Sequence, residues 1–588
     1  MAKEKIIDYI SGKEVYATPE EIEAVQVFSR MLVEDYGYKK SQIVTHPQWR
    51  VKARPSDTKK EYPVDIAVFK DDNINDDNIL IIVECKKPNR KDGRTELEDY
   101  LRFSKARLGV WFNGNEKLFL EKIEKDGQII FDDTLPNIPK AGQRVEDIGR
   151  FKRKDLKPAE NLKSIFSTMR NYLAPNVVGA SRDEVLAQQL INIIFCKIYD
   201  EKFTKPDDMV KFRAGKNESF DDVKERIVKL FELVTLQYSD IIDETDKIIL
   251  DSKSVAYIVG ELQQFSLLES KRDAIGDAFE VFIDGALKGG QGQFFTPRNV
   301  VRMIIDILNP TKDDLIIDPA CGSGGFLIEA LRHVWAEVDD FGKEYNWPDN
   351  EIETEKQKVA IDKIRGIDKD AFLTKVCKAY MAILGDGRGG IFCENSLVSP
   401  KEWDFKTQNK ISLNSFDIVV TNPPFGEKIK VEGKDILKQF KVGHKWKKNK
   451  KDKSWEMGKL KDKEAPQYLF IERCLDLLVP GGKMGIVLPD GVLGNDKLGY
   501  LRQYISENAQ ILAVIDVPLE TFMPHTSTKT SVLILKKLSK EDIPDDYPIF
   551  MAVCDTCGHD RKGKFTNDDD ISRVAEKYHE WCRLNVNY

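Results

Sequence analysis

Asn422-Pro423-Pro424-Phe425 combines residue types that could act on an aromatic amine. The four follow a mostly apolar run at 416–421 that reads as a strand. An exocyclic amine on a base is a poor nucleophile, because its lone pair is delocalised into the ring. The Asn422 amide oxygen and the Pro423 carbonyl are two acceptors that could take its two N–H hydrogens. They would draw the nitrogen toward sp³ geometry and stabilise the positive charge that develops as a methyl group arrives. Successive prolines hold that carbonyl rigidly. Phe425 offers a ring on which a base flipped out of a duplex would stack.

A second pattern lies about a hundred residues upstream. Ile316-Ile317-Asp318-Pro319-Ala320-Cys321-Gly322-Ser323-Gly324-Gly325-Phe326 reads as a strand, a glycine turn and a helix start. Glycines let backbone approach a ligand closely, and a helix N-terminus favours an anionic group. The run is not G-x-G-x-x-G, and no Lys-Ser/Thr pair follows the glycines, so neither a dinucleotide fingerprint nor a P-loop fits. Further on, Gly366-Ile367-Asp368 places an acid at the end of the next expected strand, where it could hold ribose hydroxyls.

A third set lies near the N-terminus. Pro63-Val64-Asp65 precedes Glu84-Cys85-Lys86 with 18 residues between the two acids. Glu84 and Lys86 are two apart on one expected strand and share a face. Asp65 belongs to the neighbouring strand. Two carboxylates as metal ligands, with a lysine beside them, would bind Mg²⁺ and position water against a phosphodiester. Glu21 or Glu23 could add a carboxylate from the preceding helix.

These motifs, with Gln293-Phe294-Phe295-Thr296-Pro297-Arg298 ahead of them, resemble the modification subunit of type I restriction systems. The order of Gln293–Arg298, the 318–326 loop and 422–425 is that of γ-order DNA adenine-N6 methyltransferases. Gly481-Gly-Lys-Met-Gly-Ile-Val-Leu-Pro-Asp490 and the helical stretch 156–288 match as well. The resemblance covers about 155–565. It implies S-adenosylmethionine contacts from Phe294, Thr296, Pro297, Asp318, Ala320, Gly322, Ser323, Gly324, Phe326 and Asp368. It also implies an adenine-edge contact near Asn395, where the family usually has Asp. The N-terminal set resembles the PD-(D/E)xK nuclease fold, most closely the N-terminal domain of type I restriction subunits. That family carries Gln-x-x-x-Tyr on the next helix; here the element reads Glu96-x-x-x-Tyr100. A nuclease fused to a methyltransferase resembles the restriction-modification subunit of type IIB systems. The alternative is a methylation-only subunit with an inactive or DNA-binding N-terminal domain.

Positioning these groups requires several domains, consistent with 588 residues. The expected fold class is α/β and multidomain: a nuclease-like α/β domain at 1–125, a linker at 126–155 and a helical domain at 156–288. A Rossmann-like methyltransferase domain at 289–545 and a short helical tail at 546–588 follow. Its strands are expected at 315–317, 364–367, 417–420, 483–488, 511–517 and 531–536, alternating with helices as a parallel sheet requires. The helix opening at Pro19 puts Ile22, Val25, Phe28 and Leu32 on one face.

Composition is that of a soluble globular protein, with 41% hydrophobic and 32% charged residues. No apolar run approaches a membrane span and no signal core is visible, so a cytoplasmic protein without membrane contact is expected. Nine scattered cysteines suggest reduced thiols. Cys554, Cys557, His559, His579 and Cys582 lack zinc-finger spacing. Net charge is −7, but 14 lysines fall between Lys428 and Lys463, interleaved with Trp446 and Trp455. That stretch is either a solvated insertion or a DNA contact. No P-loop or helicase motif occurs, which excludes ATP-driven translocation. Base readout needs an element that enters a groove. Few residues follow the last expected strand, so target choice is expected from a separate specificity subunit on double-stranded DNA, in a hetero-oligomer.

Overall fold

The computed structural model describes residues 4–52, 61–159, 161–176, 183–242, 245–270, 296–384, 387–425, 429–523, 526–539 and 546–585. The chain divides into two compact units, Met1–Ala286 and Leu287–Tyr588. Among the described residues, no helix is long and apolar enough to cross a membrane.

The first unit is built on a six-stranded sheet. Its spatial order is Gln128–Asp132, Lys117–Lys125, Leu108–Phe112, Ile79–Cys85, Ile66–Phe69 and Ile43–Val44. Ile79–Cys85 runs parallel to Leu108–Phe112, and the helix Arg94–Phe103 makes the crossover that a parallel pair requires. Leu97 and Leu101 of that helix are fully buried against one face of the sheet. The helix Gln26–Glu34 covers the other face through Phe28 and Leu32. Ile22, expected on the same face, is 46% exposed. Residues Glu21–Val25 form a π turn, and its wider winding rotates Ile22 away from the core.

Residues 126–155 differ from the expected linker. Gln128–Asp132 is a sheet strand, and Leu135, Ile138, Val145 and Ile148 are buried in the core of the α/β part. Among the described residues four helices follow, Leu162–Asn176, Asp183–Phe203, Phe220–Gln237 and Ser252–Leu262. Ser219 caps the third by accepting from Asp222 N, and Asp251 caps the fourth by accepting from Ser254 N. A buried ion pair, Lys117 to Glu261 at 2.5 Å, links the sheet to this helical part.

The second unit holds an eight-stranded sheet. Its order is Ile391–Cys393, Ile364–Asp368, Ile316–Asp318, Phe416–Thr421, Leu478–Pro489, Thr530–Lys537, Ala509–Asp516 and Phe550–Val553. The first five are parallel, and Thr530–Lys537 is antiparallel to both neighbours. Strands buried on both faces read as continuous apolar runs, which is why Ile316–Asp318 and most of Phe416–Thr421 are inaccessible. On one face pack Arg298–Leu308, Gly325–Glu344 and Asp349–Asp362; on the other, Pro466–Leu477 and Gly499–Asn508.

The short helical tail expected at 546–588 is instead part of this core. Phe550–Val553 adds an edge strand parallel to Ala509–Asp516. The helix Val574–Leu584 buries Val574, Ala575 and Tyr578 in the same cluster as Arg298–Leu308.

Candidate functional site

Three loops leave the carboxyl ends of adjacent parallel strands in the second unit, the edge at which open α/β sheets hold ligands. They follow Ile316–Asp318, Ile364–Asp368 and Phe416–Thr421. Between them lies a cavity of about 300 Å³. Thr296, Asp318, Ala320, Gly322, Ser323, Phe326, Asp368, Asn395 and the whole of Asn422-Pro423-Pro424-Phe425 line it. Sequence positions spread over 130 residues therefore converge on one space. Phe294 lies outside the described residues. Pro297 and Gly324 do not line the cavity; Pro297 starts the helix Arg298–Leu308, and Gly324 starts Gly325–Glu344.

The glycine loop is shaped by backbone conformation. Gly322 and Gly324 have φ of +52° and +95°. A Cβ on Gly324 would stand 2.7 Å from Cys377 Sγ, so the turn needs glycine for conformation and for space. Asp368 holds the loop: its Oδ2 accepts from Gly322 N at 2.9 Å and its Oδ1 from Asp370 N at 2.9 Å. Burial pushes the Asp368 carboxyl above its usual range. Asp318 is 1% exposed, and burial pushes its carboxyl up to about 7, against the Ala320 N–H that it accepts at 3.0 Å. Asp318 therefore acts from beneath the loop.

Asn422 is oriented by one bond. Its Nδ2 donates to Thr296 Oγ1 at 2.9 Å. Its Oδ1 is buried with no hydrogen-bond partner among the described residues. An orphaned buried acceptor costs roughly 1–3 kcal/mol, which a donor that reached this atom would recover. Pro423 is buried and Phe425 is 3% exposed, both against the cavity. The Asn395 carboxamide oxygen accepts from Leu397 N at 3.0 Å, and Trp403 Nε1 donates to the Asn395 carbonyl at 3.0 Å. That leaves the Asn395 NH₂ for a ligand. Ile429, Lys430, Pro466 and Phe470 also line the cavity. No sequence motif marks them; they arrive through the chain that follows Phe425.

In the first unit, Asp65 sits at the break between Glu61–Val64 and Ile66–Phe69, beside the end of Ile79–Cys85. Its Oδ2 accepts from Cys85 N at 2.7 Å and its Oδ1 from Gln48 Nε2 at 3.1 Å. Glu84 is 4% exposed and paired with Lys86, whose Nζ also reaches Glu96 Oε2 at 2.7 Å. Burial and the neighbouring Asp65 push the Glu84 carboxyl up; burial does the same to Asp65, aided by Glu20 and Glu21. The two acids and the lysine thus share one corner of the sheet.

Glu21, one of the two candidate helix carboxylates, belongs to a cluster in the same unit whose other members the sequence did not single out. Donor atoms of Asp8, Glu21 and His46 are within 4.8 Å of one another. Gln26 Nε2 donates to both Asp8 and Glu21 at 2.7 Å, so the cluster closes on itself. Glu23 is not part of it. Of the cysteines and histidines of the C-terminal segment, Cys557 Sγ and His559 Nδ1 meet at 3.5 Å, and among the described residues no third ligand joins them. His579 Nε2 bonds to the Asp306 carbonyl at 2.9 Å, and Cys554 is buried.

Residues 270–587 match the family described as N-6 DNA Methylase. Residues 19–139 match the family described as the N terminus of the type I restriction enzyme R protein. The methylase subunit of the type I restriction enzyme EcoEI from Escherichia coli is 28% identical over 286 residues, 48% of this chain and 50% of that one. The methylase subunit of MjaIX from Methanocaldococcus jannaschii is 25% identical over 355 residues, 56% of this chain and 53% of that one. The chain spans about half the length of these curated relatives. The structure of a type I restriction-modification methyltransferase subunit from Streptococcus thermophilus aligns over 72% of this chain and 94% of that one, at 17% identity and a TM-score of 0.47.

Proposed function

The chain belongs to the N-6 DNA methylase family, and from that premise we propose that it transfers a methyl group from S-adenosylmethionine to adenine N6 in double-stranded DNA. The observation that carries the reading is the orphaned Asn422 Oδ1 on the wall of the glycine-loop cavity. The residues present suit the cofactor: a carboxylate at Asp368 for ribose hydroxyls, and an uncapped helix N-terminus after Gly324 for a carboxylate. Bound there, S-adenosylmethionine supplies an electrophilic methyl on sulfur. The chain's own residues act on the base. Asn422 Oδ1 and the Pro423 carbonyl accept the two amine hydrogens, localise the lone pair on nitrogen and stabilise the charge that develops. Thr296 holds the Asn422 carboxamide through its Nδ2, and Phe425 stacks on the flipped base.

The names of the relatives, methylase subunits of type I restriction enzymes, support a hetero-oligomer in which a separate specificity subunit chooses the target. The test is transfer of labelled methyl to duplex DNA by the chain with and without the product of a neighbouring recognition-domain gene. Transfer lost in Asn422→Ala, with cofactor affinity kept, supports the mechanism; transfer that survives the change refutes it.

The similarity to methylase subunits favours methylation alone over the bifunctional reading. One observation keeps the second in play: Asp65, Glu84 and Lys86 meet in a domain that matches a restriction-subunit N terminus. Two neighbouring carboxylates whose proton affinity burial raises suit a divalent cation such as Mg²⁺, with Asp65 and Glu84 as ligands and Lys86 beside the attacking water. Mg²⁺-dependent cleavage lost in Lys86→Ala but not in Asn422→Ala would establish this activity; its absence in the parent assembly leaves a methylation-only subunit.

A further inference from the structure

Residues 431–464 leave the cavity wall and return to it. Ile429, Lys430 and Val431 line the cavity on the way out, and Pro466 and Phe470 line it on the way back. The two ends are tied together by antiparallel pairing of Val431 with Glu464 and of Glu432 with Lys463. What lies between is a ribbon mounted on the cavity's mouth.

The ribbon is firmly seated. Leu437, Phe440 and Val442 are buried in the core, and the Glu472 carboxylate accepts from the Lys441 and Val442 amides at 2.9 and 3.0 Å. Strands His444–Lys448 and Trp455–Leu460 form a hairpin. Trp446 stacks on Tyr500 with centroids 5.9 Å apart, and Trp455 meets the same ring at 6.0 Å. Gln503 closes the seat: its Oε1 accepts from Trp455 N at 2.7 Å, and its Nε2 donates to the Trp455 carbonyl at 3.1 Å.

The outer side is cationic. Residues 441–463 carry ten lysines against three acids. Lys445, Lys447, Lys450, Lys451, Lys453 and Lys459 are exposed, and none forms an ion pair among the described residues. Lys461 shows the contrast, because it is spent on Glu464 and Tyr500. Ammonium groups gathered on a fixed scaffold make a local positive field that a polyanion can neutralise. Six residues of strand at about 3.4 Å each spread these charges over roughly 20 Å, and duplex DNA presents one phosphate charge per about 1.7 Å of axis.

We propose that this hairpin is a clamp for the sugar-phosphate backbone of the duplex that flanks the target base. The proposal rests on the methylation reading of the cavity, since the duplex must pass the cavity's mouth for a base to enter it. DNA is favoured over a protein partner because lysines dominate the free surface, and Met457 is the one large apolar side chain exposed on the hairpin strands. A lysine ammonium on a phosphate oxygen carries no sequence information, so the clamp holds any duplex alike.

The test uses the full chain in its assembly, a labelled duplex of about 30 base pairs, and the variant Lys447→Gln/Lys450→Gln/Lys451→Gln/Lys453→Gln. The dependence of log K on log salt from about 50 to 200 mM is expected to flatten by about 0.9 for each phosphate no longer neutralised, up to about 3.6. Affinity at low salt is expected to fall at least about tenfold. Arginine at the same four positions restores both, and cofactor affinity stays unchanged. An unchanged salt slope overturns the clamp, and so does loss of subunit association in place of DNA affinity. Methyl transfer at saturating DNA is read in parallel. If the parent methylates and the slope does not move, the clamp fails alone; if the slope moves and nothing is methylated, the methylation reading fails alone.

Discussion

The two acid-bearing sites of this chain are built to opposite plans. Around Asn422 the polar groups are held by bonds to the surrounding chain, and one acceptor, Asn422 Oδ1, on a residue that lines the cavity, is left with no partner among the described residues. Around Glu84 the groups are pressed together and satisfy one another: Lys86 lies between Glu84 and Glu96, and Asp65 takes the Cys85 amide. An open acceptor is ready for a neutral ligand whose hydrogens it will accept. A closed cluster of acids and lysine must rearrange before it can hold a cation. The first site therefore discloses its chemistry without a ligand, and the second does so only in response to one.

The sharpest way to break that contrast is to remove the open acceptor. Asn422→Ala is expected to lower the rate of methyl transfer about 10²- to 10³-fold, the usual cost of losing one aligned group that meets transition-state charge. Cofactor affinity should stay within about threefold, because Asn422 faces the base. Single-turnover methylation and calorimetric binding of S-adenosylmethionine check the two halves.

The buried Asp318 gives the next largest effect. Its folded-state value of about 7 lies above the unfolded value of 3.8. From about pH 4 to 7 the folded chain keeps a proton that the unfolded chain has lost, so stability falls as pH rises through that window and levels off above it. At about 1.4 kcal/mol per unit the total is at most about 4 kcal/mol. Asp318→Asn should flatten that slope, measured by urea denaturation at pH 5 and pH 8. A slope that persists would mean that Asp318 is ionised in the folded chain. Asp368 has a different role at the same edge. Asp368→Ala should weaken cofactor binding about tenfold to hundredfold, the worth of a charged hydrogen-bonding partner, with transfer at saturating cofactor much less affected.

How much of this was legible in the sequence depended on what carried the signal. The parallel strands announced themselves because burial on both faces leaves apolar runs, and their ends were marked by Asp318, Asp368 and Asn422. Ile391–Cys393 was missed because three residues carry no periodicity and, unlike Ile316–Asp318, they have no glycine turn after them to mark the strand end. Gln128–Asp132 fell within the expected linker, since an edge strand accepts polar residues on its wet side, whereas Lys117 and Glu121 of the neighbouring strand are buried and ion-paired. The 444–460 hairpin was hidden by its lysines, although Trp446 and Trp455 were the visible trace of its seat on Tyr500. Convergence of Lys430, Pro466 and Phe470 on the cavity had no local signature, because it depends on a pairing between positions 431 and 464.

The smallest predicted effect decides what the closed cluster is for. If Asp65 and Glu84 bind Mg²⁺, the ion must displace Lys86 from Glu84 and take up both carboxylates in ionised form. Binding to the folded state alone then stabilises the first unit by about 1.4 kcal/mol at ten times Kd. Glu84→Gln should abolish this gain, because an amide cannot offset the cation's charge. Glu96→Gln should keep it, and the cation should bind slightly more tightly because Lys86 loses one of its two anchors. The measurement is the thermal midpoint with and without Mg²⁺, with Ca²⁺ as a second probe that binds without requiring turnover. A gain present in the parent and in Glu96→Gln but absent in Glu84→Gln makes the N-terminal corner a metal site. No gain in any of the three leaves Glu84–Lys86–Glu96 as a structural ion-pair network, and the contrast with the Asn422 cavity then becomes one between a structural corner and a proposed reaction site.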